Sequence, residues 1–221
     1  PVDYDTLLDD EGFELDPEIR AFLEEERKSD PEPPDRQPVL AEVVQHAGID
    51  TLRLLIAHGA DVRYRSSKGY TLLTLAACAS RKDAIDLLLA HGAPVDGESN
   101  WGESALSVSS RMGQFQTVAK LLAHGADQTP LQWSPLMRAV ALGTPDEVAA
   151  LLAEQPDLEV RDRWHRTPLL LAIHAGDREK AALLLASGAD RDATGNCERP
   201  PASYPCENDD RKTLQWLIER G

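Results

Sequence analysis

At 221 residues, 42% hydrophobic but only 5% aromatic, the chain has ample material for one elongated domain with its own core. Its formal charge of −15 argues against nucleic acid and anionic membranes as partners, because phosphate affinity comes from clustered Lys and Arg. No apolar run approaches the roughly 18 residues of a spanning helix and no basic-then-apolar leader is visible, so a cytoplasmic protein is expected.

Residues 1–35 stand apart as an acidic segment. They hold fourteen Asp/Glu against three Lys/Arg, a net of −11, which leaves −4 for everything after them. Such a field would steer a basic protein partner inward. Asp16-Pro17 followed by Glu18 to Lys28 predicts a short helix with Ile19, Phe22 and Leu23 as its apolar stripe. Ser29-Asp-Pro-Glu-Pro-Pro-Asp35 then reads as a stiff linker. The segment is either a cap on the N-terminal end of residues 36–221 or a detachable acidic arm. The chain opens at Pro1 without Met, which leaves open whether an upstream segment has been removed.

From residue 36 a phrase recurs with a period of about 33 residues. Ile-Ala-His-Gly-Ala-Asp ends at Asp61, Leu-Ala-His-Gly-Ala-Pro at Pro94, Leu-Ala-His-Gly-Ala-Asp at Asp127 and Leu-Ala-Ser-Gly-Ala-Asp at Asp190. A second marker keeps phase with it: Thr71-Leu-Leu-Thr-Leu-Ala, Ser104-Ala-Leu-Ser-Val-Ser, Ser134-Pro-Leu-Met-Arg-Ala and Thr167-Pro-Leu-Leu-Leu-Ala. A Ser or Thr before an apolar run is a helix N-cap, and Pro suits the first helical position. Ile85, Leu88 and Leu89 follow the i, i+3, i+4 spacing of one buried face, and each Gly closes the helix behind it. Gln155 replaces that Gly in the fourth unit, so its helix should end less cleanly. Pro200, Pro201 and Pro205 should shorten or distort the inner helix of the last unit, whose Leu214, Trp216, Leu217 and Ile218 could close the C-terminal end.

These markers resemble the ankyrin repeat, whose signature is Thr-Pro-Leu-His-x-Ala at a period of 33. The resemblance covers roughly residues 36–221 and implies an all-α solenoid of about six units, near 36–63, 64–96, 97–128, 129–160, 161–193 and 194–221. Each unit would hold an inner helix, an outer helix and a β-hairpin finger. The short fingers and Ala/Leu/Arg-rich helices look like bacterial ankyrin proteins.

The resemblance also implies that finger tips and the exposed side of the inner helices form the binding face. Three of the four tryptophans fall on fingers: Trp101, Trp133 and Trp164, with Tyr70 in the Trp133 slot of its own finger. Exposed Trp, Tyr and Arg are the types that dominate interface energy, about 2 kcal/mol or more each when central. Arg163 and Arg166 join them on a finger, and Arg111 lies at an inner-helix end; guanidinium groups beside rings suit carboxylates and aromatic side chains on a partner. Met112, Leu142 and His174 occupy equivalent inner-helix ends. The finger between Gly125 and Ser134 is three residues short, so a notch is expected near Trp133.

No catalytic, metal or cofactor site is expected. His58, His91 and His124 share one repeat position, which spaces them roughly 10 Å apart, too far for joint ligation. No Ser–His–Asp order, phosphate-cradling glycine loop or Cys-x-x-Cys is present, and Asp9-Asp10-Glu11 and Glu24-Glu25-Glu26 read as solvated acids. Cys78, Cys197 and Cys206 read as free thiols, with a Cys197–Cys206 bridge as the alternative. The sequence therefore points to a monomeric, non-catalytic adaptor or scaffold that binds another protein. A bacterial immunity protein neutralising a basic toxin, and a regulator autoinhibited by residues 1–35, are the alternatives.

Overall fold

A computed structural model describes residues 39–220, and the acidic segment and linker lie outside the described residues. Twelve α-helices run through the described residues: α1 (Val39–His46), α2 (Ile49–Ala57), α3 (Leu72–Cys78), α4 (Lys82–Ala90), α5 (Ala105–Arg111) and α6 (Phe115–Ala123). They continue with α7 (Pro135–Leu142), α8 (Pro145–Leu152), α9 (Pro168–His174), α10 (Arg178–Ala186), α11 (Ser203–Glu207) and α12 (Arg211–Arg220). One compact unit holds residues 39–109 and 123–126; the other holds 110–122 and 127–220.

The predicted caps form. Thr71, Ser104, Ser134 and Thr167 each accept the backbone N–H three residues on, at 3.1, 3.1, 3.2 and 3.4 Å, a contribution of about 1 kcal/mol per helix. Thr144 and Glu147 add a reciprocal capping box at the start of α8. Gly59, Gly92, Gly125 and Gly188 take the left-handed conformation just past α2, α4, α6 and α10. Gln155 takes it too, with φ 53°, at the strain cost a side chain brings there.

In the first unit α1 packs on α2 and α3, α3 packs on α4, and α2 on α4. Its core is aliphatic: Leu52 and Leu55 of α2, Leu72 and Leu73 of α3, Ile85 and Leu88 of α4 are all buried. Each such side chain contributes about 1.5–3 kcal/mol. Arg81 reaches back from the start of α4 to cap the end of α1, Nη1 donating to the Ala47 carbonyl at 2.6 Å.

The second unit repeats this arrangement, with α7 on α8, α9 on α7, α10 and α11, α8 on α10, and α11 on α12. Every residue of α9 is buried, Pro168 to His174. The backward cap recurs: buried Lys180 donates to the Val140 carbonyl at 3.0 Å while paired with Asp177. The prolines leave α11 only five residues long, as its sequence demands. On α12, Leu214, Trp216 and Leu217 are half-buried and Ile218 is exposed.

The hairpin fingers are tight loops and not strands. No strand occurs among the described residues, and only single antiparallel bridges, Arg65 with Thr71 and Gly195 with Arg199, mark the hairpin geometry. Side-chain-to-backbone bonds hold most of these turns in place of a ladder.

Candidate functional site

In the first unit, Ser66 Oγ accepts the Tyr70 N–H at 3.0 Å, and Ser99 Oγ accepts the N–H groups of Trp101 and Glu103 at 3.3 and 3.2 Å. One serine at the same repeat position thus sets each turn. Arg65 ties the two loops together, donating through Nη2 to the carbonyls of Glu98 (2.5 Å) and Gly69 (3.2 Å). On this frame Tyr70 donates its hydroxyl to Glu103 Oε2 at 2.7 Å and lies 5.7 Å from the Trp101 ring. That donation to a carboxylate, helped by burial, raises the Tyr70 pKa. The Trp101 ring itself stands in solvent, 60% exposed.

In the second unit the same turn is built on a carboxylate. Asp162 Oδ1 accepts the N–H groups of Trp164 and Arg166, both at 2.9 Å, and Oδ2 takes the Arg166 guanidinium through Nε (2.8 Å) and Nη2 (2.6 Å). Arg161 repeats the clamp of Arg65, with Nη1 on the carbonyls of Thr194 (2.6 Å) and His165 (2.8 Å). The rest of the Arg166 fork is also filled: Nη1 donates to the Ser110 carbonyl (2.8 Å) and to His174 Nδ1 (3.0 Å), and Nη2 to Ser110 Oγ (2.9 Å). An arginine is always protonated, so His174 Nδ1 must accept and the ring is neutral with its proton on Nε2. Burial first, then the charges of Arg166 and Arg199, push the His174 pKa down to about 3.

Beside this cluster the second unit has a cleft of about 680 Å³. Arg111 and Met112 from the end of α5, Trp164 from the finger, Arg199 and Tyr204 line it, with Arg166 in the wall. The Arg166 guanidinium lies 4.9 Å from the Trp164 ring and that of Arg199 lies 4.6 Å from the Tyr204 ring. Arg199 is ion-paired to Glu207, and Asn208 donates to the His174 carbonyl at 3.4 Å.

A family model described as ankyrin repeats (3 copies) matches residues 40–132 and 136–221. The chain belongs to the ankyrin repeat family. Ankyrin repeats generally mediate protein–protein interaction, and the family is typically non-catalytic. No curated protein matches the chain.

Within this ankyrin array the residues expected on the binding face divide sharply. Trp101, Arg111 and Arg163 are exposed, and Tyr70, Met112, Leu142 and Trp164 are half-buried. Three others are buried instead of presented: Arg166 at 1% exposure, His174 at 3% and Trp133 at 9%. Arg166 and His174 are drawn inward because Arg166 donates to both His174 and Ser110. Trp133 turns in because its short loop becomes a 3-10 turn, Thr129–Leu131, with Gln132 left-handed at φ 55°. Its ring then packs 6.3 Å from Phe115. Sequence reasoning missed Asp162, although its place on the repeat frame, shared with Ser66 and Ser99, was the available signal.

His91 Nδ1 lies 2.8 Å from the Leu87 carbonyl, in the last turn of α4. Cys78, Cys197 and Cys206 are exposed thiols, none of them in a disulfide. Among the described residues no group of three or more His, Cys, Asp or Glu is assembled as a metal site, and no helix is long and apolar enough to cross a membrane.

Proposed function

We propose that this chain is a non-catalytic adaptor or scaffold, a six-unit array that grips another protein through its finger loops and inner-helix ends. The observation that carries the reading is Trp101: a large ring left 60% in solvent on a turn that Ser99 and Arg65 already hold. Set 5.7 Å from the Tyr70 ring, it offers a partner an aromatic platform on a rigid frame. Preorganisation lowers the ordering cost of binding, and Trp is the type most enriched at binding hot spots. The contact residues we assign are Tyr70 and Trp101 in the first unit and, taken separately, Arg111, Met112, Leu142, Arg163 and Trp164 in the second. Trp133, Arg166 and His174 support the second unit from within.

The partner is a protein, basic overall, bound by a cytoplasmic monomer; nucleic acid and membrane are not its targets. The charge of −15 supports a basic partner and gives the immunity reading its support, because a basic toxin would be drawn in fast and salt would slow its association. Residues 1–35 serve as cap or as autoinhibitory arm, and deleting them separates the two. Loss of stability marks a cap, whereas higher affinity at unchanged stability marks an arm.

The direct test is recovery of partner from native lysate by the intact protein and by Trp101→Ala. We expect recovery to fall about tenfold or more, the loss of roughly 2 kcal/mol that a central anchor carries. Equal recovery by a folded variant would refute the reading.

A further inference from the structure

We propose that the exposed Trp101 indole receives an arginine side chain of the partner protein, its guanidinium laid on the ring. This rests on the interaction reading and names the group that covers the ring. The second unit shows what the same turn does when its own sequence supplies the cation. Trp164 and Arg166 stand two residues apart there, and the guanidinium lies 4.9 Å from the centre of the indole while bound to the Asp162 carboxylate. The matching pair in the first unit, 63 residues earlier, is Trp101 and Glu103. The ring keeps its place; the cation does not. Glu103 accepts the Tyr70 hydroxyl at 2.7 Å, and among the described residues no guanidinium or ammonium lies over Trp101.

The other tryptophans follow the pattern that Trp101 departs from. Arg220 lies 4.4 Å from the Trp216 ring, and Trp133 is buried beside Phe115. Two of the four indoles thus lie beside an arginine of the chain, one is buried, and Trp101 has neither. An indole face carries the negative part of the ring quadrupole and attracts a guanidinium within about 6 Å. The loop that holds this ring, 96–103, contains Asp96, Glu98 and Glu103 and no Lys or Arg. Arg65 and Lys68 stand on the neighbouring loop, yet Arg65 is turned to the Glu98 and Gly69 carbonyls and neither side chain lies on the indole. A guanidinium suits the ring better than an ammonium because it is planar and more weakly hydrated, so it stacks at a lower desolvation cost. The ring is also ordered in advance. Ser99 accepts the N–H groups of Trp101 and Glu103, and Tyr70 lies beside the indole at 5.7 Å.

The test uses the full chain and matched probes, an acetylated tripeptide amide with glycine on either side of arginine, lysine, citrulline or glutamate. Citrulline keeps the shape of arginine without its charge. Binding is read from the indole N–H signals at about 0.15 M salt, where the long-range field of the acidic chain is screened beyond about 8 Å. Affinities on the order of tens of millimolar are expected for probes this small. We expect the arginine probe to shift the Trp101 signal and leave those of Trp164 and Trp216, each already beside an arginine, in place. It should bind about threefold more tightly than the citrulline probe and about twofold more tightly than the lysine probe. Equal or tighter binding of any of the other three probes, a shift shared equally by these indoles, or no Trp101 titration up to about 100 mM would overturn the proposal. Ser99→Asp combined with Glu103→Arg rebuilds the second turn in the first unit, supplying carboxylate and guanidinium from the chain itself. With a native urea transition retained, this variant should bind the arginine probe severalfold more weakly, and unchanged binding would also overturn the proposal. The unaltered chain decides alone should the variant not fold. Failure here with Trp101→Ala still losing its partner would leave the interaction reading standing and remove only the arginine.

Discussion

The turn around Ser99, Trp101 and Glu103 and the turn around Asp162, Trp164 and Arg166 lie 63 residues apart on one repeat frame, yet they use their side chains in opposite ways. In the first, a neutral serine holds the backbone, Glu103 accepts from Tyr70, and the indole is left to solvent. In the second, a carboxylate holds the backbone and captures Arg166, which goes on to bind Ser110 and His174 and to support a half-buried indole. A repeat fixes where a side chain starts, and its local partners decide whether it becomes contact or support. The first turn offers a ring; the second builds a wall.

The contrast breaks most visibly at Arg166. Truncating it to Ala leaves His174 Nδ1 buried without a donor and strips the guanidinium from the Asp162 carboxylate and the Ser110 carbonyl, which keep only backbone N–H partners; this should cost roughly 3–5 kcal/mol in urea unfolding. Glu103→Ala removes the residue at the equivalent position in the first unit but exposes only a half-buried hydroxyl, and should cost less than about 1 kcal/mol. Similar losses in the two variants would show that the second turn is not held by its ion pair.

A pH titration sharpens the same difference. His174 is buried and neutral among Arg166, Arg199 and the rings of Phe115 and Tyr204. Its folded pKa, about 3, lies below the unfolded value of 6.5. The unfolded chain therefore takes up a proton as pH falls through 6.5, while the folded chain does not until about 3. Stability from this group is complete above 6.5, falls by up to roughly 1.4 kcal/mol per pH unit below it, and levels off near 3. Between pH 6.5 and 5, before most carboxylates titrate, about 2 kcal/mol should be lost. His174→Asn should be less stable at neutral pH but flatter across that window. An unchanged slope in the variant would assign the acid sensitivity to other groups.

How far the sequence reaches can be read from these same residues. The period, the caps at Thr71, Ser104, Ser134 and Thr167, the awkward end at Gln155 and the shortened α11 follow from local chemistry, and all were legible. So was the oddity of Arg111, Met112 and Trp164, which the structure gathers around one cleft. The inward turn of Arg166 and His174 was not, because the deciding partner, Ser110, is 56 residues away from Arg166 and carries no mark of that role. Arg199, Tyr204 and Asn208 were hidden for a different reason. The prolines of the last unit made its inner helix look merely distorted, whereas that short helix completes the cleft.

The last turn of the second unit offers the smallest effect and a clean control. Position 195 is Gly where Ser66, Ser99 and Asp162 stand in the earlier turns, so no side chain there can hold the loop. The backbone answers with two successive left-handed residues, Cys197 and Glu198, both at φ 56°. The Asp162 turn needs only one, His165 at φ 57°. A side chain in that region costs roughly 1–2 kcal/mol, partly offset by the entropy glycine loses on folding. Glu198→Gly should thus stabilise the protein by about 0.5–1 kcal/mol, seen as a higher urea midpoint at unchanged slope. Glu198→Ala, which removes the same carboxylate but keeps the Cβ, should give no such gain. An equal gain from both would attribute the effect to charge. A gain from glycine alone would show that this lip of the cleft is held in a strained form by the contacts around it, Gly195 against Tyr204 among them.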